Sequence, residues 1–209
     1  MKTNSNSNQD IREIRAMMER SSRFLSLSGL SGISMGIIAL LGAAIAHLLL
    51  ESIKTESQSF LYFLDPFPFG RILMPLVILS FTVLMLALAS AIFFSWRKAR
   101  KQGLPLWSPA SKRLLIHLFI PLIAGGFFVL ILINHAEILV ASATLIFYGL
   151  ALVNAGKFTF GEIHYLGIFE IVLGILAGIF VSHGLLFWAI GFGLLHIIYG
   201  LVMYYRYER

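Results

Sequence analysis

Two ionisable residues lie inside the last two apolar stretches of the chain, where they could support proton chemistry within a membrane. Glu170 falls in "YLGIFEIVLGILAGIF" and His196 in "WAIGFGLLHIIYGL". Each has small residues three, four, seven or eight positions away, which places them on the same helical face. The neighbours of Glu170 are Gly167, Gly174 and Gly178, and those of His196 are Ala189, Gly193 and Gly200. Small faces are where membrane helices pack closely, so both ionisable side chains are predicted to be buried.

The spacing also predicts that Glu170 and His196 meet. Glu170 precedes His183 by thirteen residues and His196 follows it by thirteen. At 1.5 Å per residue, both lie roughly 20 Å from a turn at His183, opposite each other in an antiparallel hairpin. Such a pair is either a structural hydrogen bond, worth about 0.6–1.7 kcal/mol, or a proton site. Tyr148, Asn154 and Tyr199 are candidates to extend the polar seam.

A second constellation is predicted on the outer side of the membrane. Its members close successive apolar stretches and are His47, Glu51, His135, Glu137 and His183. Imidazole and carboxylate groups suit Zn²⁺ or Cu²⁺, so a metal site is one hypothesis. The alternative is that polar side chains simply favour wet helix ends. No close-spaced ligand pair decides between the two.

Other catalytic patterns are weak or missing. "GLSG" around Ser31 matches the GxSG of rhomboid proteases, and His196 in the last span is the histidine that could activate the serine. Ser31 opens the first apolar stretch, however, whereas the rhomboid serine opens the fourth span. Cys is absent, and no HExxH, P-loop or dinucleotide fingerprint occurs. The chain is therefore predicted to be neither an enzyme nor a cofactor-binding protein.

The elements that must position these residues are membrane helices. The chain is 58% hydrophobic and 12% charged, against about 45–50% and about 25% in soluble domains. About 20 apolar residues cross a bilayer. The predicted spans are Phe24–Leu50, Ile72–Ser95, Leu114–Ile133, Ile138–Ala155, Tyr165–Val181 and Leu185–Tyr205. The predicted fold is an all-α, polytopic membrane bundle of six transmembrane helices.

The basic residues predict its orientation. Of 16 Lys and Arg residues, all but Lys54 and Arg71 fall on one side of the predicted spans. The positive-inside rule then places both termini in the cytoplasm. The net charge of +6 serves topology and contact with anionic headgroups, so nucleic acid is not needed as a partner.

The connections between spans are predicted to be short, and no soluble domain fits between them. Residues 1–23 form a separate cytoplasmic segment, a basic amphipathic helix with Ile11, Ile14 and Met18 on one face, and residues 24–209 form the membrane domain. Residues 51–71 are predicted to lie at the outer interface. Asn134–Glu137 and Ser182–Gly184 are predicted tight turns. Ser108 is the predicted N-cap of span three, with Pro109 as its first residue.

An internal repeat is indicated by "IFYGL" at 146–150 and "IIYGL" at 197–201, and by the His that ends each odd span. We interpret it as three tandem two-helix hairpins. The run from "ATLIFYGLALVNAGKF" to the C-terminus, and "MMERSSRFLSLSGLSG", resemble uncharacterised six-span inner-membrane proteins of Bacteroidota-type bacteria. The architecture is also similar to acid-resistance membrane proteins built from three hairpins. The resemblances imply a location in the bacterial inner membrane and no particular activity.

Two function hypotheses follow. The first is a non-catalytic protein that senses envelope conditions or stress, or supports a partner, which is another membrane protein or a second copy. The second is a small transporter or proton-coupled permease that uses Glu170 and His196. The scarcity of intramembrane charges and the lack of centrally broken spans favour the first.

Overall fold

The computed structural model describes residue 24 and residues 26–57, 68–103, 105 and 107–209, with the backbone alone at 53–57 and 68–73. The predicted amphipathic segment 1–23 lies outside the described residues, as do residues 58–67 of the predicted interfacial loop. The described part is built from helices, and six of them are long and apolar enough to cross a membrane. The chain is therefore a multi-pass, all-α membrane protein, as the composition predicts.

The helices follow one another with short connections. They are α1 (Gly29–Ser57), α2 (Pro68–Gln102), α3 (Pro109–His135), α4 (Val140–Ala155), α5 (Gly161–Ile179), α6 (Gly184–Trp188), a π-helical segment (Ala189–Leu195) and α7 (His196–Tyr207). The last three form one continuous sixth span within Val181–Tyr207. Single 3₁₀ turns at Glu137–Leu139, Gly156–Phe158 and Val181–His183 make the tight connections. The turns predicted at Asn134–Glu137 and Ser182–Gly184 are confirmed.

Helix ends differ from the predicted spans by up to seven residues, and two of these differences are informative. α1 begins at Gly29, five residues after Phe24, and the Phe24 carbonyl, which a helix would use, instead accepts from the Thr159 hydroxyl at 2.8 Å. α2 continues to Gln102, well past Ser95, because its basic end is helix-forming although it is too polar for lipid. Hydropathy marks the stretch that crosses lipid, and it does not mark the end of the helix.

The start of α3 is as predicted. Ser108 Oγ accepts from the Ser111 N–H at 3.1 Å, and Ser111 Oγ accepts from the Ser108 N–H at 2.7 Å. Pro109 follows as the first helical residue. This reciprocal capping box uses Ser at its fourth position in place of the usual Glu or Gln.

The six spans alternate in direction, which defines two ends of the bundle. We call the end that carries the start of α1, the connection 156–160 and Glu208 the base. The opposite end, with the turns at 136–139 and 180–183, is the top.

The spans form two groups. In the first unit, α1 packs against α2 and against the sixth span. In the second unit, α4 packs against α3 and α5. The sixth span contacts α5 and α4 less extensively than it contacts α1. The glycine faces of spans five and six therefore pack mainly on other helices, and the three-hairpin repeat stays a prediction.

The small faces serve the close contacts within each unit. A Cβ at Gly200 would lie 2.6 Å from Ile33 N and 2.7 Å from Gly29 O, so α7 and α1 touch backbone to backbone. In the second unit, a Cβ at Gly167 would lie 2.7 Å from Gly149 O. Each glycine face thus packs on a helix of its own unit rather than on the neighbouring span of the predicted hairpin.

The base of the first unit is closed by a carboxylate from the end of the chain. Glu208 Oε1 accepts from the Gly29 N–H at 2.5 Å and Oε2 from Ser28 Oγ at 3.1 Å. The carboxylate thereby satisfies free N–H groups at the start of α1, where negative charge is favourable. Lys98 Nζ lies 3.3 Å from Glu208 Oε1 and donates to Leu27 O at 2.7 Å. This arrangement fixes α1, α2 and α7 relative to one another.

Candidate functional site

Glu170 and His196 come together where the two units meet. Glu170 is in the middle of α5 and is completely buried, and His196 is the first residue of α7 and is 4% exposed. Glu170 Oε1 lies 3.4 Å from His196 Nδ1. Tyr148, in the middle of α4, places its hydroxyl 2.8 Å from His196 Nε2. Three side chains from three spans therefore form one polar cluster at mid-membrane depth, which we call the buried cluster.

The hydrogen bonds of His196 determine which nitrogen carries the proton. Nδ1 lies 3.0 Å from the backbone oxygen of Gly191. Because a carbonyl oxygen can only accept, Nδ1 must carry a hydrogen and donate it. In neutral His196, Nε2 then accepts from the Tyr148 hydroxyl. In the imidazolium form, the Nε2–H donates to the Tyr148 oxygen. The ring position suits both forms.

Glu170 lacks the hydrogen bonds that normally accompany a buried carboxyl group. In the described part of the chain, Oε1 and Oε2 of Glu170 are the buried side-chain oxygen atoms without a hydrogen-bond partner. The Nδ1–H of His196 is directed at Gly191 O, so its 3.4 Å approach to Oε1 is a charge contact rather than a hydrogen bond. An unpartnered buried polar group is unfavourable, and native structures contain few of them. Its presence at mid-membrane marks a candidate for function.

The π-helical segment shapes the space around the carboxylate. His196 is five residues after Gly191, which is the hydrogen-bond spacing of a π-helix, and its side chain bonds to that carbonyl. A Cβ at Gly191 would collide with Glu170 Oε2 and with Leu145 Cδ2. The Glu170 carboxylate therefore packs directly against the Gly191 backbone. Single π-helical turns occur frequently at functional sites.

Aromatic rings continue the cluster toward the top. The Phe192 ring lies 4.9 Å from the Tyr148 ring and 6.0 Å from the His196 ring, measured between centroids. Trp188 follows, 4.9 Å from Phe192. The three residues at 188, 192 and 196 are each four apart and share one face of the sixth span. Trp188 is thus linked to His196 through a single ring.

The cluster favours a net-neutral state. A protonated carboxyl beside a neutral imidazole and a carboxylate beside an imidazolium have the same total number of protons and the same net charge of zero. Adding or removing a proton leaves an uncompensated charge in a low-dielectric site, where it is strongly unfavourable. The arrangement can therefore hold one titrating proton in either of two positions.

The other residues predicted for the polar seam lie apart from the cluster. Asn154 is in the last turn of α4, six residues beyond Tyr148 toward the base. Tyr199 packs against Phe169, with ring centroids 6.4 Å apart, and against the apolar residues near the base. Of the three candidates, the structure brings Tyr148 to the Glu170–His196 pair.

The structure does not gather the residues of the metal hypothesis. The side chains concerned, all at the top and all exposed, are His47, Glu51, His135, Glu137 and His183. Among the described residues, no three His, Asp or Glu side chains are placed to hold a metal ion. The reason is the packing of the spans, because α3 packs on α4 whereas α1 packs on the sixth span. The His183 ring has a local partner in Ser182 Oγ, at 3.0 Å.

Ser31 has a structural role. Its hydroxyl donates to Ser28 O at 2.5 Å, and the side chain is 1% exposed. The His196 ring is engaged by Tyr148 and Gly191, so it is not placed to activate Ser31. The GxSG glycines are explained by the close contact between α1 and the sixth span.

Two components of the site were not predicted from the sequence. Gly191 supplies both the surface under Glu170 and the carbonyl that fixes the His196 ring. The π-helical turn that creates this geometry has no established sequence signature. The available signal was the run "AIGFGLLH", in which glycines at 191 and 193 precede His196. Two glycines weaken the α-helical hydrogen-bond pattern at this point.

Comparison with known proteins identifies no relative: no protein-family model, no curated protein and no solved structure matches the chain. The two resemblances drawn from the sequence therefore stay predictions. The site geometry is what supports a functional proposal.

Proposed function

We propose that this chain is a non-catalytic membrane protein that responds to proton concentration, and that Glu170, His196 and Tyr148 are its sensing element. The observation that carries the proposal is the Glu170 carboxyl group. It is completely buried at mid-span, its two oxygens have no hydrogen bond, and its close ionisable neighbour is an imidazole 3.4 Å away. An ionisable residue inside a membrane is a functional candidate by default.

The position of the cluster supports a sensor. The charge contact joins α5 to α7, and the hydrogen bond joins α4 to α7, so both cross from one unit to the other. Gain or loss of a proton changes the net charge at the place where the units meet. A change in protonation then alters the contact between the two units. A partner protein can detect this altered contact.

The proposed location is the bacterial inner membrane, with both termini in the cytoplasm and the base as the cytoplasmic end. In support, Arg100 lies 5.5 Å from the Trp96 ring, Lys112 5.8 Å from the Trp107 ring and Arg209 5.7 Å from the Tyr205 ring. Cations beside aromatic rings suit the interface with anionic headgroups.

Reporter fusions test this orientation. A fusion after Arg209 and one within residues 103–108 should report the cytoplasm, and a fusion within 58–67 should report the outside. An outward signal from the C-terminal fusion would contradict the proposed orientation, since six spans keep both ends on one side.

Trp188 provides a direct test of the sensing role. With Trp96 and Trp107 replaced by Phe, Trp188 is the one remaining tryptophan, and it contacts the ring that stacks on His196. Its fluorescence in nanodiscs should change with pH, and Glu170→Gln should remove or displace that transition. Glu162→Gln is the matched control, because Glu162 is also on α5 but lies at the base. A Trp188 signal that titrates identically in wild type and Glu170→Gln would refute the proposal.

Proton-coupled transport is the second candidate, favoured by the same unpartnered carboxylate. Liposomes that contain the protein and a pH-sensitive dye distinguish the two. A sensor should show the Trp188 transition without proton flux. A proton flux that Glu170→Gln abolishes would replace the sensor by a permease.

A further inference from the structure

We propose that exposed cations at the base, where α2 ends and α3 begins, form a binding surface for the headgroups of anionic phospholipids. The cations are Arg97, Arg100 and Lys101 at the end of α2 and Lys112 and Arg113 near the start of α3. We call these five residues the basic patch. It lies apart from the buried cluster, and its binding of lipid does not require the sensing function.

The basic patch lies at the level where the apolar surface of each helix ends. On α2, the side chains of Ile92 and Phe93 are 56% and 52% exposed and come about one turn before Arg97. On α3, Ile116 is 59% exposed and lies about one turn after Lys112. Because one helical turn rises about 5.4 Å, the cations of both helices lie within the headgroup layer.

The two parts of the basic patch are held close together. α2 ends before Gly103, whose φ of 63° is in the left-handed region that terminates helices. Residues 103–108 then connect it to Pro109, the first residue of α3, and a connection of this length spans at most about 25 Å. Because α2 belongs to the first unit and α3 to the second, lipids bound at the patch contact both units.

The carboxylates at the base are occupied by other partners. Glu162 Oε1 accepts from Arg206 and from the Tyr207 hydroxyl, both at 2.9 Å. Glu208 pairs with Lys98 and caps α1. No Asp or Glu occurs between residues 66 and 136. Within the part of the chain that the structure describes, the positive charges of the basic patch therefore have no carboxylate partner.

Two of the cations, one from each helix, lie on tryptophan rings. The Arg100 guanidinium is 5.5 Å from the centroid of the Trp96 ring, and the Lys112 ammonium is 5.8 Å from that of Trp107. A ring face attracts a cation without accepting conventional hydrogen bonds, so the N–H groups stay available to a phosphate. Because Trp favours the membrane interface, the rings hold both cations at headgroup depth. An excess of positive charge is sufficient to set topology, but topology does not require this placement.

An anionic phospholipid matches this surface with both of its parts. Its phosphate accepts hydrogen bonds from Arg and Lys, and each basic residue near the surface raises the affinity for anionic lipid about fivefold. Its acyl chains cover the exposed apolar side chains about one turn away, such as Phe93 and Ile116. Nucleic acids and acidic protein segments provide negative charge, but they cannot cover these side chains.

Quenching of tryptophan fluorescence by brominated lipid tests the assignment. Trp188→Phe leaves Trp96 and Trp107, both beside the basic patch, as the tryptophans of the chain. This parent protein is placed in phosphatidylcholine nanodiscs with increasing fractions of phosphatidylglycerol that has brominated acyl chains, which quench a tryptophan on contact. Brominated phosphatidylcholine at the same fractions gives the reference. The ratio of the two quenching constants is the preference for the anionic headgroup.

The parent protein should prefer the anionic lipid at least about fivefold. Arg100→Gln with Lys112→Gln should lower this preference at least about threefold, because the phosphate loses one cation from each helix. Arg97→Gln with Arg113→Gln should do the same while both tryptophan contacts stay in place. If one pair of substitutions lowers the melting temperature in pure phosphatidylcholine, the other pair decides. The absence of a preference in the parent protein would overturn the proposal.

Lys157→Gln with Arg206→Gln is the matched control, because it also removes two cations from the base but none from the basic patch. It should change the preference by less than about 1.5-fold, and equal losses in the control and in the patch variants would contradict a site at the patch. Inorganic phosphate and a duplex oligonucleotide distinguish lipid from other anions. If either displaces the brominated lipid more than sodium chloride of the same ionic strength does, the surface binds a soluble anion and the assignment to lipid is wrong.

Discussion

Glu170→Gln and His196→Asn should change the pH dependence of the free energy of unfolding in opposite directions. In the folded wild type, the Glu170–His196 pair carries one titratable proton, either on the carboxyl group or as the second proton of the imidazole. The unfolded chain also holds one such proton on these two residues between pH about 4.3 and about 6.5, the ordinary pKa values of Glu and His. Because unfolding then neither binds nor releases a proton, the pair makes the free energy of unfolding independent of pH in that window.

In each variant, unfolding binds or releases a proton, so stability depends on pH. In Glu170→Gln, the buried His196 stays neutral, with Nδ1–H on Gly191 and Nε2 accepting from Tyr148. The unfolded histidine binds a proton below pH about 6.5, so stability falls as the pH falls. In His196→Asn, the buried Glu170 has no imidazolium beside it and stays protonated, whereas the unfolded glutamate loses its proton above pH about 4.3. Stability then falls as the pH rises.

The expected magnitude follows from the width of the window. Over roughly 2.2 pH units, at about 1.4 kcal/mol per unit, each variant should change by up to about 3 kcal/mol relative to wild type, with opposite signs. The free energy of unfolding can be measured by denaturant titration in mixed micelles at pH 4.5, 5.5 and 6.5. Other titrating groups cancel in the difference from wild type. Parallel pH profiles for all three proteins would refute the one-proton description of the pair.

Three further variants, two of them with a control variant, test the packing. Gly200→Ala, whose Cβ would lie 2.6 Å from a backbone nitrogen of α1, should cost about 1–3 kcal/mol of unfolding free energy, whereas Gly126→Ala, with open space around it, should be neutral in the same thermal melts. Glu208→Ala removes the carboxylate that caps α1 and pairs with a buried lysine, so it should lower the free energy of unfolding by about 1.5–3 kcal/mol. The Arg206 side chain is 67% exposed, so Arg206→Ala should lower it by less than about 1 kcal/mol. Equal losses of stability in the two variants would contradict the burial argument. Ser142→Ala deletes a 2.7 Å bond to the carbonyl of Gly174 on the next helix and should cost about 0.6 kcal/mol, so a loss above about 2 kcal/mol in mixed-micelle titration would exceed what such bonds contribute.

Much of the fold could be predicted because lipid imposes strict requirements on sequence. Every backbone polar group in the membrane must be bonded within the helix, so long apolar stretches become helices. The turn at Ala136 and the cap at Ser108 followed from local polarity and capping chemistry. Helix ends outside lipid, such as Gln102, were missed because that rule no longer applies there.

The contacts between helices were harder to predict than the helices themselves. Glycine faces on α5 and the sixth span indicated close packing but did not name the partner helix. Gly167 meets Gly149, and Gly200 meets Gly29, because backbone complementarity decides which spans pack closely. Glu170 and His196 still meet, with Oε1 of the carboxylate 3.4 Å from Nδ1 of the imidazole. The depth argument predicts this meeting from the equal spacing to His183, and it does not depend on which helices the glycine faces contact.

The location of the pair at a junction determines what its chemistry can do. Within each unit the close contacts are between backbones, as at Gly200 and Gly167. The Glu170–His196 contact and the Tyr148 bond lie instead between the units, where small residues and a π-helical turn meet. On the proposed function, a change of charge there alters the contact between the two units, and a neighbouring protein detects that alteration.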